Sequence, residues 1–179
     1  MAAMLPTAVL ASLAAGAIAF AAPAAAAPAS ADAAHLAQLL DERAEEAVQQ
    51  KRQAVAKELR KMSETMSDLA SKPIGNGGDP MMARRLEAEQ SNLSVIASKL
   101  RAEADKLAYP STSGAQGRNE LEIALRKVES LQESVRERRQ MADEAIQKSG
   151  GKDGPLAKLL TAAVDALSDE RVKALRGNL

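Results

Sequence analysis

The sequence predicts an all-α chain: an elongated antiparallel helical bundle, or coiled-coil hairpin, of about four helices behind an N-terminal signal segment. Three observations carry this expectation. Four segments free of Pro and Gly are separated by three clusters of helix-breaking residues. Apolar residues recur at heptad spacing on three of those segments. No stretch alternates with the period of two that a strand requires, and β-branched residues are sparse.

The segment 1–31 contains no charged side chain. From Ala8 to Ala22 it is apolar and helix-prone, and Ala29-Ser30-Ala31 supplies the small-x-small pattern that a signal peptidase cleaves, with Ala24-Ala25-Ala26 as a second candidate. A signal peptide therefore places the rest of the chain outside the cytoplasm, periplasmic or secreted. The competing reading is a retained anchor, since Leu5 to Ala27 reaches the ~20 residues that span a bilayer. Its alanine content, Gly16, Pro23 and the absence of flanking Lys or Arg oppose that reading.

Helix one is expected over 34–70. Val48, Val55, Leu59, Met62, Met66 and Leu69 form a heptad seam into which Arg52 intrudes, and Leu36, Leu40, Ala44 and Ala47 continue a stripe on a slipped phase. At ~1.5 Å per residue such a helix is about 55 Å long, and a stripe of that length needs a cover. Helix two is expected over 80–109, with Asp79 as N-cap and Pro80 in the first turn. Leu86, Leu93, Leu100 and Leu107 recur every seventh residue and form the candidate interaction seam; Met82, Glu89, Ile96 and Glu103 make a half-polar second column.

Helix three is expected over 119–148, with Leu121, Val128, Val135 and Ala142 in one column and Ala124, Leu131, Arg138 and Ala145 in the other. Helix four is expected over 155–176 behind Asp153 or Gly154, with Leu156, Leu160, Ala163, Val164, Leu167 and Leu175 on one face. Ser168 is positioned to bend or restart it, because its hydroxyl competes for the backbone. The connections are short enough for successive helices to fold back on one another. The rival arrangement is an open hairpin completed by a second copy through the four leucines of helix two.

Composition narrows the function. The 24 basic and 24 acidic residues balance, so the positive excess that nucleic-acid binding draws on is missing. Beyond residue 31 the only aromatic is Tyr109, which leaves no stacking platforms and few of the usual interface anchors. There is no cysteine, so disulfides and thiolate chemistry are excluded. His35 is the single histidine and has only Asp32 as a carboxylate close by on its N-terminal side, too little for a catalytic or metal site. Met62 and Met66 lie one turn apart and could hold a soft ion such as Cu(I), but both fall on the seam, where methionine fills gaps. Asp41, Glu42, Glu45 and Glu46 read as a solvated helix face. The Gly-rich 73–80 segment lacks the strand and the Lys of a phosphate loop.

No catalytic residue, cofactor, metal or small-molecule substrate is therefore expected. Leu167-Ser168-Asp169-Glu170-Arg171 resembles the L-T-x-x-Q signature of periplasmic stress chaperones of the Spy and CpxP type, with Ser in place of Thr and Arg in place of Gln. That resemblance implies a small exported helical chaperone. The leading expectation is a non-enzymatic scaffold or adaptor that binds protein partners, or itself, through helix faces, with no nucleic acid. The alternative from another class is binding to a membrane surface through amphipathic helices, with helix four as its candidate.

Overall fold

A computed structural model of the chain describes residues 28–75, 79–110, 113–149 and 154–177, with side chains over 32–147 and 154–177 of these segments. It divides into two units, Met1–Ala37 and Gln38–Leu179. The expected signal segment, residues 1–31, falls in the first unit and lies outside the described residues except for Pro28–Ala31, which are helical. The described side chains of that unit, Asp32 to Ala37, are all exposed.

All regular structure among the described residues is helical. The elements are α1 (Pro28–Ser71), α2 (Pro80–Ala108), α3 (Gly114–Ser149), α4 (Pro155–Ala166) and α5 (Asp169–Gly177). The second unit is an antiparallel bundle in which α4 and α5 together serve as the fourth helix. Cross-helix bonds set the directions. Along α1, Arg52 meets the end of α2 at Tyr109, Ser63 meets Ala97, and the carbonyl of Lys72 meets Gln90, so α2 runs down as α1 runs up. Lys127 and Arg138 of α3 meet Glu103 and Glu89 of α2 in the same reversed order. Arg139, Gln132 and Glu129 of α3 meet Ala157, Leu167 and Arg176, which reverses the chain once more.

The helix limits follow local chemistry. Asp79 caps α2 by accepting from the Met81 amide at 2.9 Å, and Pro80 supplies a φ already suited to the first turn. Gly154 occupies the cap of α4 without a side-chain bond. Two limits differ from the sequence expectation. Helix α1 begins at Pro28 rather than near residue 34, and α3 begins at Gly114 rather than near residue 119. At α3, the Ser113 hydroxyl accepts from the Gln116 amide at 3.2 Å and its carbonyl from the Gly117 amide at 2.9 Å, which starts the helix ahead of the expected point. Glycine suits position 114 because α1 passes close: a Cβ there would sit 3.3 Å from Cγ of Glu45.

The expected fourth helix is two helices. Leu167 and Ser168 interrupt it, and α5 restarts with the Val172 amide donating to the Ser168 carbonyl at 3.0 Å. Asp169 and Glu170 then fill the first turn, where the helix dipole favours negative charge. The buried side chain of Gln132 donates to the Leu167 carbonyl at 2.7 Å and to Asp169 at 3.1 Å, so the break is satisfied from α3. The break lets Leu167 turn fully into the core while Val172 and Leu175 stay buried beyond it.

The core is aliphatic and continuous through the bundle, from Val55, Leu59, Met62 and Met66 of α1 to Val172 and Leu175 of α5. Met62 and Met66 have no exposed surface, so their thioethers pack against hydrocarbon.

Candidate interaction surface

The four leucines of the expected seam, Leu86, Leu93, Leu100 and Leu107, are all buried by this chain's own helices. A zipper with a second copy through them would first have to open the bundle. The apolar face of α4 is also enclosed, with Ala157, Leu159, Leu160, Ala163 and Ala166 buried. The sequence shows where apolar stripes lie, but not which stripes cover one another.

The polar intrusions into the seams have opposite charges waiting on neighbouring helices. Arg52, 1% exposed, pairs with Glu120 of α3 and donates to the carbonyls of Lys106 and Tyr109 at the end of α2, at 3.3 and 2.6 Å. One guanidinium thus joins α1 to α3 and satisfies carbonyls at the C-terminus of α2, where the dipole favours a cation. Glu103 is bonded to Lys127 at 2.8 Å and Lys106 at 2.9 Å. Glu89 takes Arg138 at 3.1 Å. These charges staple the bundle together and are spent inside it.

Their titration reflects this. Burial pushes the Glu103 carboxyl up, but the hydrogen bonds from Lys127 and Lys106 outweigh it and hold the group below the usual carboxylate range. Bonding to Arg52 lowers Glu120, and bonding to Arg136 lowers Asp169. A carboxyl depressed in the folded state adds stability that is complete above its unfolded pKa, near 4.5 for Glu, and lost as pH falls through the folded value. The melting temperature is therefore expected to hold between about pH 8 and 5 and to fall steadily below about pH 4. A melting temperature unchanged down to pH 2.5 would show that these pairs contribute nothing to the fold.

The longest exposed run among the described residues of the bundle unit is its beginning, while Met81, Val95, Tyr109, Ile123 and Met141 are exposed singly elsewhere. Every side chain from Gln38 to Ala47 is exposed, including Leu39 at 42% and Leu40 at 68%, whereas Val48 is buried. The helix does not change, but its pattern does. At 3.6 residues per turn, Leu40 and Ala47 lie roughly a quarter turn from the line of Val48, Val55, Leu59 and Met66, and Ala44 about half as far. Asp41 falls on that core-facing line instead, with Ala44 and Glu45 to either side of it. Beside this stretch, Glu42, Glu45, Gln49 and Gln53 of α1 line an open groove with Pro110 and Gly114.

The sequence marked Leu36, Leu40, Ala44 and Ala47 as a slipped stripe, and the slip is the feature that separates the covered from the uncovered part of α1. A second open groove lies between α2, α3 and α4, where Met141, Ala142, Ala145, Leu156 and Leu160 flank the Glu89–Arg138 pair. His35 is exposed, and among the described residues no three His, Cys, Asp or Glu side chains gather as a metal site would need. No described helix is long and apolar enough to cross a membrane.

No protein-family model, curated protein or solved structure matches this chain.

Proposed function

We propose that this chain is a non-enzymatic helical adaptor, exported by its N-terminal segment, that engages a protein partner through the uncovered stretch of α1. One observation carries the reading: Leu39 and Leu40 are exposed on a helix whose next turns are packed into an aliphatic core. Exposed leucines on a regular helix cost nothing singly, but a leucine- and alanine-bearing stripe at helical spacing is the pattern that docks another helix. The bundle supplies a rigid base, since Arg52 and Ser63 tie the following turns to α2 and α3. The charged clusters support a structural role over chemistry, because the partly buried carboxylates Glu89 and Glu103 are neutralised by cations in direct contact.

The test is site-specific photo-crosslinking in the native host, with the photoreactive residue at Leu40 and, as control, at the exposed position Lys61 on the covered part of the same helix. A discrete heteromeric adduct from position 40 and none from position 61 is the expected result. Identical patterns from the two positions, or adducts with lipid alone, would refute the adaptor reading.

A further inference from the structure

We infer that the groove between the end of α1 and the start of α4 binds a single-chain amphiphile with an anionic head, a fatty-acid-like molecule. The groove encloses about 390 Å³. Leu69 of α1, Pro73 and Ile74 of the connection, and Pro155, Leu159 and Ala162 of α4 form its apolar lining. Leu69 and Ile74 pack against the core, Leu159 is part of it, and Gln90 of α2 donates to the Lys72 carbonyl at 2.6 Å, so the walls are held in place. Lys72, just past the end of α1, and Lys158, in the first turn of α4, are the charged residues of the described lining. Both are exposed, and neither joins an ion pair among the described residues, whereas Lys61, Lys106 and Lys127 do. Gly154 caps α4 without a side-chain bond, and no acidic residue stands in the first turn. The positive end of that helix therefore has the same sign as the two lysines beside it.

Size and lining chemistry fix the class of ligand. Small-molecule sites run from roughly 300 to 1,000 Å³, which includes this volume. A stable protein interface takes roughly 20–30 residues a side, and nine described residues line the groove. None of the nine is aromatic, so a sugar or a base has no ring to stack on. None carries a carboxylate, amide or hydroxyl side chain, so cations and polyhydroxylated molecules meet no matching acceptor. An alkyl chain asks only for apolar cover, and its anionic head meets two ammonium groups. Nothing in the linear sequence marks such a ligand, because the lysines lie far apart in the chain until α4 docks beside the end of α1. The inference is independent of the adaptor reading, whose surface lies at the other end of α1.

The full chain is titrated by calorimetry with octanoate, decanoate, decanol and decyltrimethylammonium, each below micelle formation, at about pH 7.5 and about 50 mM salt. Decanoate is expected to saturate one site and to bind about fourfold more tightly than octanoate, since half-burying each added methylene is worth about twofold. Decanol is expected to bind about tenfold more weakly, and the cation not at all. A Lys72→Gln/Lys158→Gln variant is expected to lose about tenfold for decanoate and nothing for decanol. Ala162→Trp, which fills the groove from a half-buried position, is expected to abolish both while circular dichroism shows unchanged helix content. Absence of saturable decanoate binding overturns the inference, as does equal binding of decanol or the cation. Unchanged decanoate binding by the lysine variant, or by a folded Ala162→Trp chain, overturns it too. So does flotation with anionic vesicles without decanoate binding, because attachment to a surface needs no groove.

Discussion

Replacing Arg52 by methionine is expected to destabilise the bundle by about 2–3 kcal/mol, seen as a fall of about 10 °C in melting temperature. Methionine keeps most of the aliphatic stem, so the change removes the charge and the hydrogen bonds and little else. It abolishes the bonds to the Lys106 and Tyr109 carbonyls at the end of α2 and separates Glu120 from its partner. Relief from burying a guanidinium offsets part of the loss, which is why the figure lies below the sum of the individual bonds. Glu120 is 34% exposed on its side chain and is rehydrated once alone, so Glu120→Gln is expected to cost less than half as much. A change below 2 °C for Arg52→Met, measured by thermal circular dichroism at pH 7, would mean that the three-helix junction contributes no net stability.

The second large effect separates the two roles that leucine plays here. Leu100 has no exposed surface, and truncating it to alanine is expected to cost about 3 kcal/mol, because a cavity is left in an aliphatic core that cannot fully close around it. Leu40→Gln is expected to change stability by less than about 0.5 kcal/mol, since that side chain is already in water. The midpoint for the unsubstituted chain is expected not to move over a hundredfold range of protein concentration. A midpoint that climbs with concentration would show that Leu86, Leu93, Leu100 and Leu107 are completed by a second copy, as mass action requires. The contrast between positions 40 and 100 also matters for function: the stretch that carries the proposed docking face can be altered without disturbing the bundle that supports it.

Much of the architecture was readable before any tertiary information. Asp79-Pro80 marks the start of α2, and the Gly/Pro clusters fall between helices because backbone conformation there depends on the residues themselves. Ser168 signalled a bend, and α5 does restart beside it. The same local rules misjudged Gly114 and Gly117, which read as part of a connection yet lie inside α3. Glycine weakens a helix by only about 1 kcal/mol, and the Ser113 cap together with close passage of α1 at Glu45 was enough to override it.

The candidate surface was half legible. Its slipped stripe could be seen in the spacing of Leu40, Ala44 and Ala47, because helical phase is a property of one chain segment. Whether the stripe was covered could not be seen, because cover depends on where another helix ends. The intruding charges show the same division. Arg52, Glu89, Glu103 and Arg138 stand out in the heptads as polar residues at apolar positions. Their pairing with Glu120, Lys127 and one another exists only once antiparallel helices bring residues tens of positions apart into contact. Helix content, the start of α2 at Asp79-Pro80 and the phase of each apolar stripe are set by interactions within a few residues, and the sequence alone determined them. The burial of the leucine seam, the neutralisation of its charges and the exposure of Leu39 and Leu40 depend on which surfaces meet, so only the tertiary structure decided them.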